Sequence, residues 1–253
     1  MKFGVGQSVK RVEDERLLTG KGRYTDDVQL PGQLYGVTLR SPYGHADFRV
    51  ADTSAALAVP GVVAVYTHAD VAHLGEVPCI VPLSGDLKTP RPLLADKCVR
   101  FVGDGIAFVV AETREAARAG AEAIEVEFDE LPAVATLDEA LADGAPVLWG
   151  DKGNSIFDWQ LGDSAKTAAA VAASAHVTRL RIVQNRIAPT SMEVRVNVGS
   201  NTESNYPLNV GSQGVAGMRG ILSKMVMKIA PSDLRIVTQD VGGGFGMKTF
   251  LYP

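Results

Sequence analysis

The sequence is poor in the side chains that proteins use to hold metal ions or to cross-link a chain. Only two cysteines and four histidines occur among 253 residues. Cys79 and Cys98 lack CxxC spacing, and two thiolates are too few for the usual four ligands of an iron–sulfur cluster. The histidines show neither HxxxH nor HExxH spacing, which is the pattern of zinc sites on helices. We therefore expect no metal ion bound by protein side chains.

Long apolar runs and blocks of like charge are also missing. Glycine, proline or charge interrupts every apolar stretch within a few residues, whereas a membrane span needs about 20 apolar residues. The N-terminal sequence MKFGVGQSVKRVEDERLL contains no run of signal-peptide length. The net charge is −4 with mixed signs, which gives no electrostatic reason to bind nucleic acid. These features predict a cytoplasmic protein with no membrane span and no nucleic-acid partner.

The apolar residues follow both strand and helix periods. The clearest unit covers residues 105–134, in which GIAFVV predicts a strand and Thr113 caps an alanine-rich helix. Residues 124–128 then alternate like a half-exposed strand, so we expect a βαβ-type unit in an α+β or α/β domain. Residues 1–33 predict an extended arm with tight turns. Other strands are expected at 34–40, 62–67, 177–183, 194–198 and 234–238. Other helices are expected at 53–59, 136–142, 163–174 and 217–229, with loops at 75–96 and 199–207.

Two glycine-containing segments carry the chemical information. The sequence QDVGGGFGMKT at residues 239–249 follows a predicted strand, and its glycines let backbone N–H groups approach a bulky or anionic ligand. A turn that only packs tightly is the alternative. In GSQGVAGMRG at 211–220, Gln213 stands between glycines before a predicted helix. Its amide could donate to an oxygen ligand, or it could be a solvent-facing turn residue.

Two phosphate-binding motifs nearly match the first segment. A P-loop requires glycine where Met247 stands, directly before Lys248 and Thr249. A dinucleotide fingerprint requires GxGxxG, whereas this segment has GxGxG. A degenerate P-loop nucleotide-binding protein is therefore one alternative function.

Together these segments resemble one family, the molybdenum hydroxylases. That family includes xanthine dehydrogenases, aldehyde oxidases and aerobic carbon monoxide dehydrogenases. The resemblance to its large subunits covers nearly the whole chain. The matching segments, in order, are RVEDERLLTGKGRYTDD at 11–27, SPYGHA at 41–46, VGDGIAFVVA at 102–111, VEF at 126–128, RIAPTSME at 186–193, SQG at 212–214 and DVGGGFGMK at 240–248.

The resemblance implies an α+β chain in two parts. Residues 1–135, with the N-terminal arm, look like an α/β hammerhead domain. Residues 136–253 look like the first part of an incomplete, truncated molybdopterin-binding domain. Large subunits of the family are several times longer and carry most cofactor contacts further along. The resemblance therefore predicts an N-terminal fragment that is inactive alone.

The implied activity is that of an oxidoreductase. The whole subunit would hydroxylate an aldehyde, an N-heterocycle or carbon monoxide, with water as the oxygen source. It would use molybdopterin, for which the cytosine dinucleotide is one candidate form, and it would pass electrons to an iron–sulfur subunit with [2Fe–2S] and to an FAD subunit. A non-catalytic assembly or scaffold fragment is the alternative from another class.

The resemblance also implies residue roles. Gln213 is similar to the glutamine that hydrogen-bonds an oxo ligand of molybdenum, and Phe245 is similar to a residue beside the substrate, so both are expected to be catalytic. The expected cofactor-binding residues are these two together with Gly214, Gly243, Gly244 and Gly246. Thr249 stands where purine-oxidising relatives have glutamate. This difference favours relatives that oxidise carbon monoxide or aldehydes.

Overall fold

The computed structural model describes residues 6–78, 89–150 and 153–253. Cys79 and the middle of the predicted loop 75–96 lie outside the described residues. The strands are β1 (Tyr35–Arg40), β2 (Ala46–Asp52), β3 (Val62–Tyr66), β4 (Cys98–Val99), β5 (Gly105–Ala111), β6 (Glu125–Glu130), β7 (Asn197–Gly199), β8 (Tyr206–Val210) and β9 (Leu234–Val237).

The helices are short. They are α1 (Asp14–Leu18), α2 (Ser54–Leu57), α3 (His68–Val71), α4 (Arg114–Glu122), α5 (Leu137–Leu141), α6 (Ser164–Ala172) and α7 (Val215–Ile221). A π-helix, Leu222–Met227, continues α7, and 3-10 turns occur at Thr25–Asp27, Pro231–Asp233 and Met247–Thr249. Within the described ranges, none of these helices combines the length and the apolar content needed to cross a bilayer. The mixture of helices and strands confirms the predicted α+β class.

Residues 34–188 form one compact unit. It contains two three-stranded antiparallel sheets, with strand orders β1-β5-β3 and β4-β2-β6. Ile106 and Val109 of β5 and Val99 of β4 are almost completely buried and belong to one hydrophobic cluster. Burial of these aliphatic side chains is the main source of stability for this unit.

Helix α4 covers this core. The hydroxyl oxygen of Thr113 accepts a hydrogen bond from the Ala116 N–H at 3.0 Å, which confirms the predicted cap. A Cβ at Gly120 would lie 2.8 Å from the Val62 side chain and 3.0 Å from that of Val109. Glycine at this position therefore allows the helix to approach the sheet closely.

The predicted βαβ unit at residues 105–134 is wrong in its pairing. Strand, helix and strand follow one another as expected, but β5 and β6 lie in different sheets. Strand β6 pairs antiparallel with β2, a strand that was not predicted. A sequence period identifies a strand but carries no information about its neighbour, which is why the error arose.

Two further predictions need correction. Residues 177–183 form no strand, and their apolar side chains are exposed, with 80% exposure at Leu180 and 78% at Ile182. A strand requires a hydrogen-bonded neighbour, and this segment pairs with none of the described residues. The strand expected at 194–198 is Asn197–Gly199, and the loop expected at 199–207 leads into β8.

A second unit combines residues 6–33 with residues 189–252. Its sheet has the order β7-β8-β9, in which β7 and β8 are antiparallel and β8 and β9 are parallel. The connection from β8 to β9 contains α7 and the π-helix and is a parallel crossover. The predicted helix at 217–229 corresponds to α7 and the π-helix, over 215–227.

The N-terminal arm contains α1 and the 3-10 turn Thr25–Asp27, where only turns were expected. Its Arg23 carbonyl accepts a hydrogen bond from the Asp240 N–H at 3.0 Å. By its contacts the arm thus groups with residues 189–252, whereas the resemblance had attached it to the hammerhead part. The domain boundary near residue 135 stays a prediction.

The core of residues 34–188 gives a direct stability test. Replacing the buried Ile106, which is 1% exposed, by alanine removes aliphatic contacts and leaves a cavity. We expect Ile106→Ala to lower the free energy of unfolding by about 2–5 kcal/mol. The matched control is Ile182→Ala, at an exposed isoleucine, for which we expect a change within about 0.5 kcal/mol. Urea unfolding of both variants measures the difference, and equal losses would contradict the assignment of Ile106 to the core.

Candidate functional site

The two glycine-containing segments meet at the carboxyl ends of the parallel strands. Residues 211–214 follow β8 directly, and residues 239–246 follow β9. Strands β8 and β9 are hydrogen-bonded neighbours, with Asn209 opposite Val237 near their ends. Loops at the carboxyl edge of adjacent parallel strands are a common place for ligand sites in α/β structures.

The side chain of Gln213 lies on the backbone of Gly244. A Cβ built on Gly244 would be 2.5 Å from the Gln213 Oε1 atom and 2.7 Å from its Cγ. Any larger residue at 244 would therefore displace the glutamine side chain. Gln213 is exposed, and its carboxamide makes no hydrogen bond within the described part of the chain. The amide is thus available to a ligand.

Left-handed backbone conformations shape the loop around Gly244. Gly243 and Gly246 have φ values of +101° and +84°, which glycine adopts without steric cost. Phe245 also has a positive φ of 48°, a conformation that is rare for a bulky residue and that marks strain. Its ring is 70% exposed. The loop therefore exposes an aromatic ring on the residue that follows Gly244, the glycine on which the Gln213 side chain lies.

Below the loop, Lys248 and Glu193 form a buried ion pair. Their side chains are 2% and 9% exposed, and Lys248 Nζ lies 2.6 Å from Glu193 Oε2. The same ammonium group also donates to the Glu193 carbonyl at 2.9 Å. Glu193 Oε2 accepts a second hydrogen bond from the Gly242 N–H at 2.9 Å. One carboxylate oxygen therefore holds both ends of the loop.

The environment of Glu193 keeps it ionised. Burial alone would raise the pKa of its carboxyl, but the Lys248 ammonium and the N–H groups of Gly242 and Thr25 stabilise the charged form and lower the pKa from its ordinary value. Two glycines border the space that the Glu193 side chain occupies. A Cβ at Gly211 would be 3.1 Å from the carboxylate, and one at Gly242 would be 2.5 Å from the Glu193 Cβ.

A second acidic residue anchors the start of the loop to the N-terminal arm. The Asp240 carboxylate accepts hydrogen bonds from the Arg16 guanidinium and from the Arg23 N–H, the latter at 2.7 Å. These donors lower the pKa of Asp240. The arm also reaches the ion pair, because the Thr25 N–H donates to Glu193 Oε1 at 3.3 Å. The arm thus contacts the loop at Asp240 and the ion pair at Glu193.

The structure brings several of the predicted site residues together. The Gln213 side chain lies against Gly244, the Phe245 ring lies near Gly243, and Gly246 is the N-cap of the 3-10 turn Met247–Thr249. Gly214, the last predicted member, is the N-cap of α7. Their roles stay predictions. Among the described residues, no group of three or more His, Cys, Asp or Glu side chains is placed to hold a metal ion.

Sequence reasoning missed Glu193 as a site residue. It occurs in the RIAPTSME segment, but its partner Lys248 lies 55 positions away, so no local pattern connects them. The pair also bears on the P-loop alternative. A P-loop lysine must reach a phosphate, whereas the ammonium of Lys248 is buried against Glu193. This contact argues against nucleotide binding at the loop.

Two family models match this chain. The family model "Aldehyde oxidase and xanthine dehydrogenase, a/b hammerhead domain" matches residues 19–132. The model "Molybdopterin cofactor-binding domain" matches residues 149–253. Together the two models cover most of the chain.

Similar proteins point to the same family. The chain is 34% identical to the carbon monoxide dehydrogenase large chain of Afipia carboxidovorans, over 98% of this chain and 32% of that protein. It is 32% identical to the nicotine 6-hydroxylase large subunit of Paenarthrobacter nicotinovorans, over 98% of this chain and 31% of that protein. The chain therefore spans about a third of the length of these curated relatives.

Among solved structures, quinoline 2-oxidoreductase from Pseudomonas putida 86 matches with a TM-score of 0.87 and 35% identity. That match covers 100% of this chain and 32% of the other. Carbon monoxide dehydrogenase from Oligotropha carboxidovorans matches with a TM-score of 0.88 and 33% identity, over 98% of this chain and 32% of the other. The chain belongs to the aldehyde oxidase and xanthine dehydrogenase family of molybdenum hydroxylases, with that family's hammerhead domain and part of its molybdopterin cofactor-binding domain.

Proposed function

We propose that this chain forms part of the catalytic large subunit of a molybdenum hydroxylase, and that residues 211–214 and 242–246 line its cofactor site. The observation that supports this most directly is the contact between Gln213 and Gly244, together with the exposed ring of Phe245, the next residue in the chain. A polar amide, a backbone surface without side chains and an aromatic ring are the groups that an organic cofactor with an oxygen ligand and a small substrate would require.

The residues present fit such a cofactor. A Cβ at Gly214 or Gly246 would meet no atom within 4 Å, so the space beside both glycines is open to a ligand. The Gln213 carboxamide, with two N–H donors, lies against Gly244 and has no protein partner in the described ranges. When bound, the molybdenum cofactor supplies the two-electron redox chemistry that no amino-acid side chain provides.

The chain's own contribution would be orientation and binding. The Gln213 amide would donate a hydrogen bond to an oxygen ligand of the cofactor and keep that ligand in one position. Gly243 and Gly244 would let the cofactor approach the backbone. The Phe245 ring would form an apolar wall beside the substrate and exclude water from that side. Gln213 and Phe245 are the two residues that we propose as catalytic.

Substrate and partners are proposed from the relatives. Enzymes similar to this chain are named for carbon monoxide, nicotine and quinoline. We therefore propose a small substrate, namely carbon monoxide, an aldehyde or an N-heterocycle, that is hydroxylated with oxygen from water. We also propose an iron–sulfur subunit and an FAD subunit as electron-accepting partners, the cytosine dinucleotide as a candidate cofactor form, and a cytoplasmic location.

Replacing Gln213 tests the central assignment in the complete subunit with its cofactor. A hydrogen bond to a charged centre contributes about 1.5–3 kcal/mol, so Gln213→Ala should lower kcat about ten- to a hundredfold if the bond strengthens in the transition state. The measurement is dye reduction with a panel of carbon monoxide, aldehydes and N-heterocycles. The control is Gln160→Ala, at an exposed glutamine of the other unit. A Gln213→Ala enzyme that contains its full molybdenum and has an unchanged kcat would contradict the proposed catalytic role of Gln213.

Gly244→Ala should act through the same glutamine. The added methyl group would collide with the Gln213 side chain, and we expect a loss of kcat similar to that of Gln213→Ala. In the Gln213→Ala background the collision is absent, so the same substitution should cost less than about threefold. The control is Gly217→Ala on α7, where a Cβ meets nothing within 4 Å. Losses that multiply in the double variant would show that Gly244 acts independently of Gln213.

A further inference from the structure

We propose that Lys248 is a positioning residue for Gln213, which it holds through its own carbonyl while its ammonium closes the glycine loop on Glu193. The inference rests on the proposed function, because it concerns how the cofactor-facing amide is placed. Lys248 itself is buried below the loop, so its role is indirect.

The glycine loop is closed through the Glu193 carboxylate. Lys248 Nζ and the Gly242 N–H both donate to Glu193 Oε2, at 2.6 and 2.9 Å. Residues 243–247 therefore form a loop whose two ends are joined through one atom. The positive φ angles of Gly243 and Phe245 lie inside this closed segment. Such conformations persist where surrounding contacts hold them.

Hydrogen bonds to the Lys248 carbonyl connect the loop to Gln213. The Lys248 carbonyl accepts a hydrogen bond from the Gln213 N–H at 3.0 Å and another from the Ser212 hydroxyl at 3.4 Å. The Ser212 hydroxyl in turn accepts from the Gly214 N–H at 3.0 Å. The backbone on both sides of Gln213 is thus fastened to the residue that ends the loop. Displacing Lys248 would move the glutamine relative to Gly244.

The charge of Glu193 explains why residue 248 is a lysine. Glu193 is ionised and 9% exposed, with its carboxylate enclosed by Gly211 and Gly242. A buried charge requires an opposite charge or several donors. Lys248 supplies that charge and adds a bond to the Glu193 carbonyl. A neutral residue of similar length would leave the carboxylate without its cation and release the loop's end.

The test compares four versions of the complete, cofactor-loaded subunit. They are the wild type, Lys248→Met, Gln213→Ala and the double variant that carries both substitutions. Lys166→Met is the matched control, because Lys166 pairs with Asp163 on the surface and its side chain is 87% exposed. Three quantities are measured: molybdenum per subunit, the paramagnetic resonance spectrum of partly reduced enzyme, and kcat. Deuterium exchange of peptides covering 211–214 in the cofactor-free subunit gives a readout that does not depend on activity.

We expect Lys248→Met to lower kcat about tenfold, to change the spectrum in the same sense as Gln213→Ala, and to increase exchange at residues 211–214 about tenfold. In the Gln213→Ala background it should change kcat less than about threefold, whereas Lys166→Met should change none of these quantities. If Lys248→Met fails to fold, Lys248→Arg keeps the charge and alters the geometry, and it should shift the spectrum and the exchange with molybdenum retained.

Losses that multiply in the double variant would overturn the inference, as would a wild-type spectrum and wild-type exchange in folded Lys248→Met or Lys248→Arg. These outcomes leave the proposed function intact provided that Gln213→Ala still lowers kcat. A wild-type subunit without molybdenum would instead overturn the proposed function, and the inference with it.

Discussion

A single carboxylate oxygen, Glu193 Oε2, organises the glycine loop. It accepts from the Lys248 ammonium and from the Gly242 N–H, and both charged side chains are almost completely withdrawn from water. Removing one partner of such a buried pair typically costs about 3–5 kcal/mol, because the other charge remains buried without compensation. The position of Gln213 follows from this pair, since its N–H is bonded to the Lys248 carbonyl.

The glycines around this pair serve two physical purposes. Gly246 is needed for its positive φ angle, and Gly242 and Gly244 are needed for space, against Glu193 and the Gln213 amide respectively. Gly243 serves both purposes, because its φ is positive and a Cβ there would lie 2.9 Å from the Phe245 ring. Counting glycines in the sequence cannot separate these purposes, because a glycine required for its φ angle and one required for space look the same in a sequence. The separation matters for interpreting substitutions, since a small side chain at a space-limited position displaces a specific neighbour, while at a φ-limited position it strains the backbone itself.

The sequence predicted elements whose decisive contacts are local. Helices α4 and α6 begin at their expected caps, Thr113 and Asp163, because a cap bond joins residues only three positions apart. Pairing between distant segments was not predictable from periodicity, so β5 and β6 were wrongly expected to form one βαβ unit, whereas they lie in different sheets. Glu193 escaped notice for the same reason. Gln213 and Phe245 were predicted as site residues only through family resemblance, because their local sequence also suits ordinary turns.

The arm that reaches Asp240 has a consequence for how the chain folds. The Arg16–Asp240 contact joins residues 224 positions apart, so its formation must pay the entropy of closing a very long loop. The sheets of residues 34–188 close over shorter distances, and contacts of low sequence separation form faster. During synthesis the arm leaves the ribosome before residues 34–188 do, and yet it cannot dock until residue 240 has been synthesised. The glycine loop is therefore assembled late, on a chain whose other unit already has all of its residues.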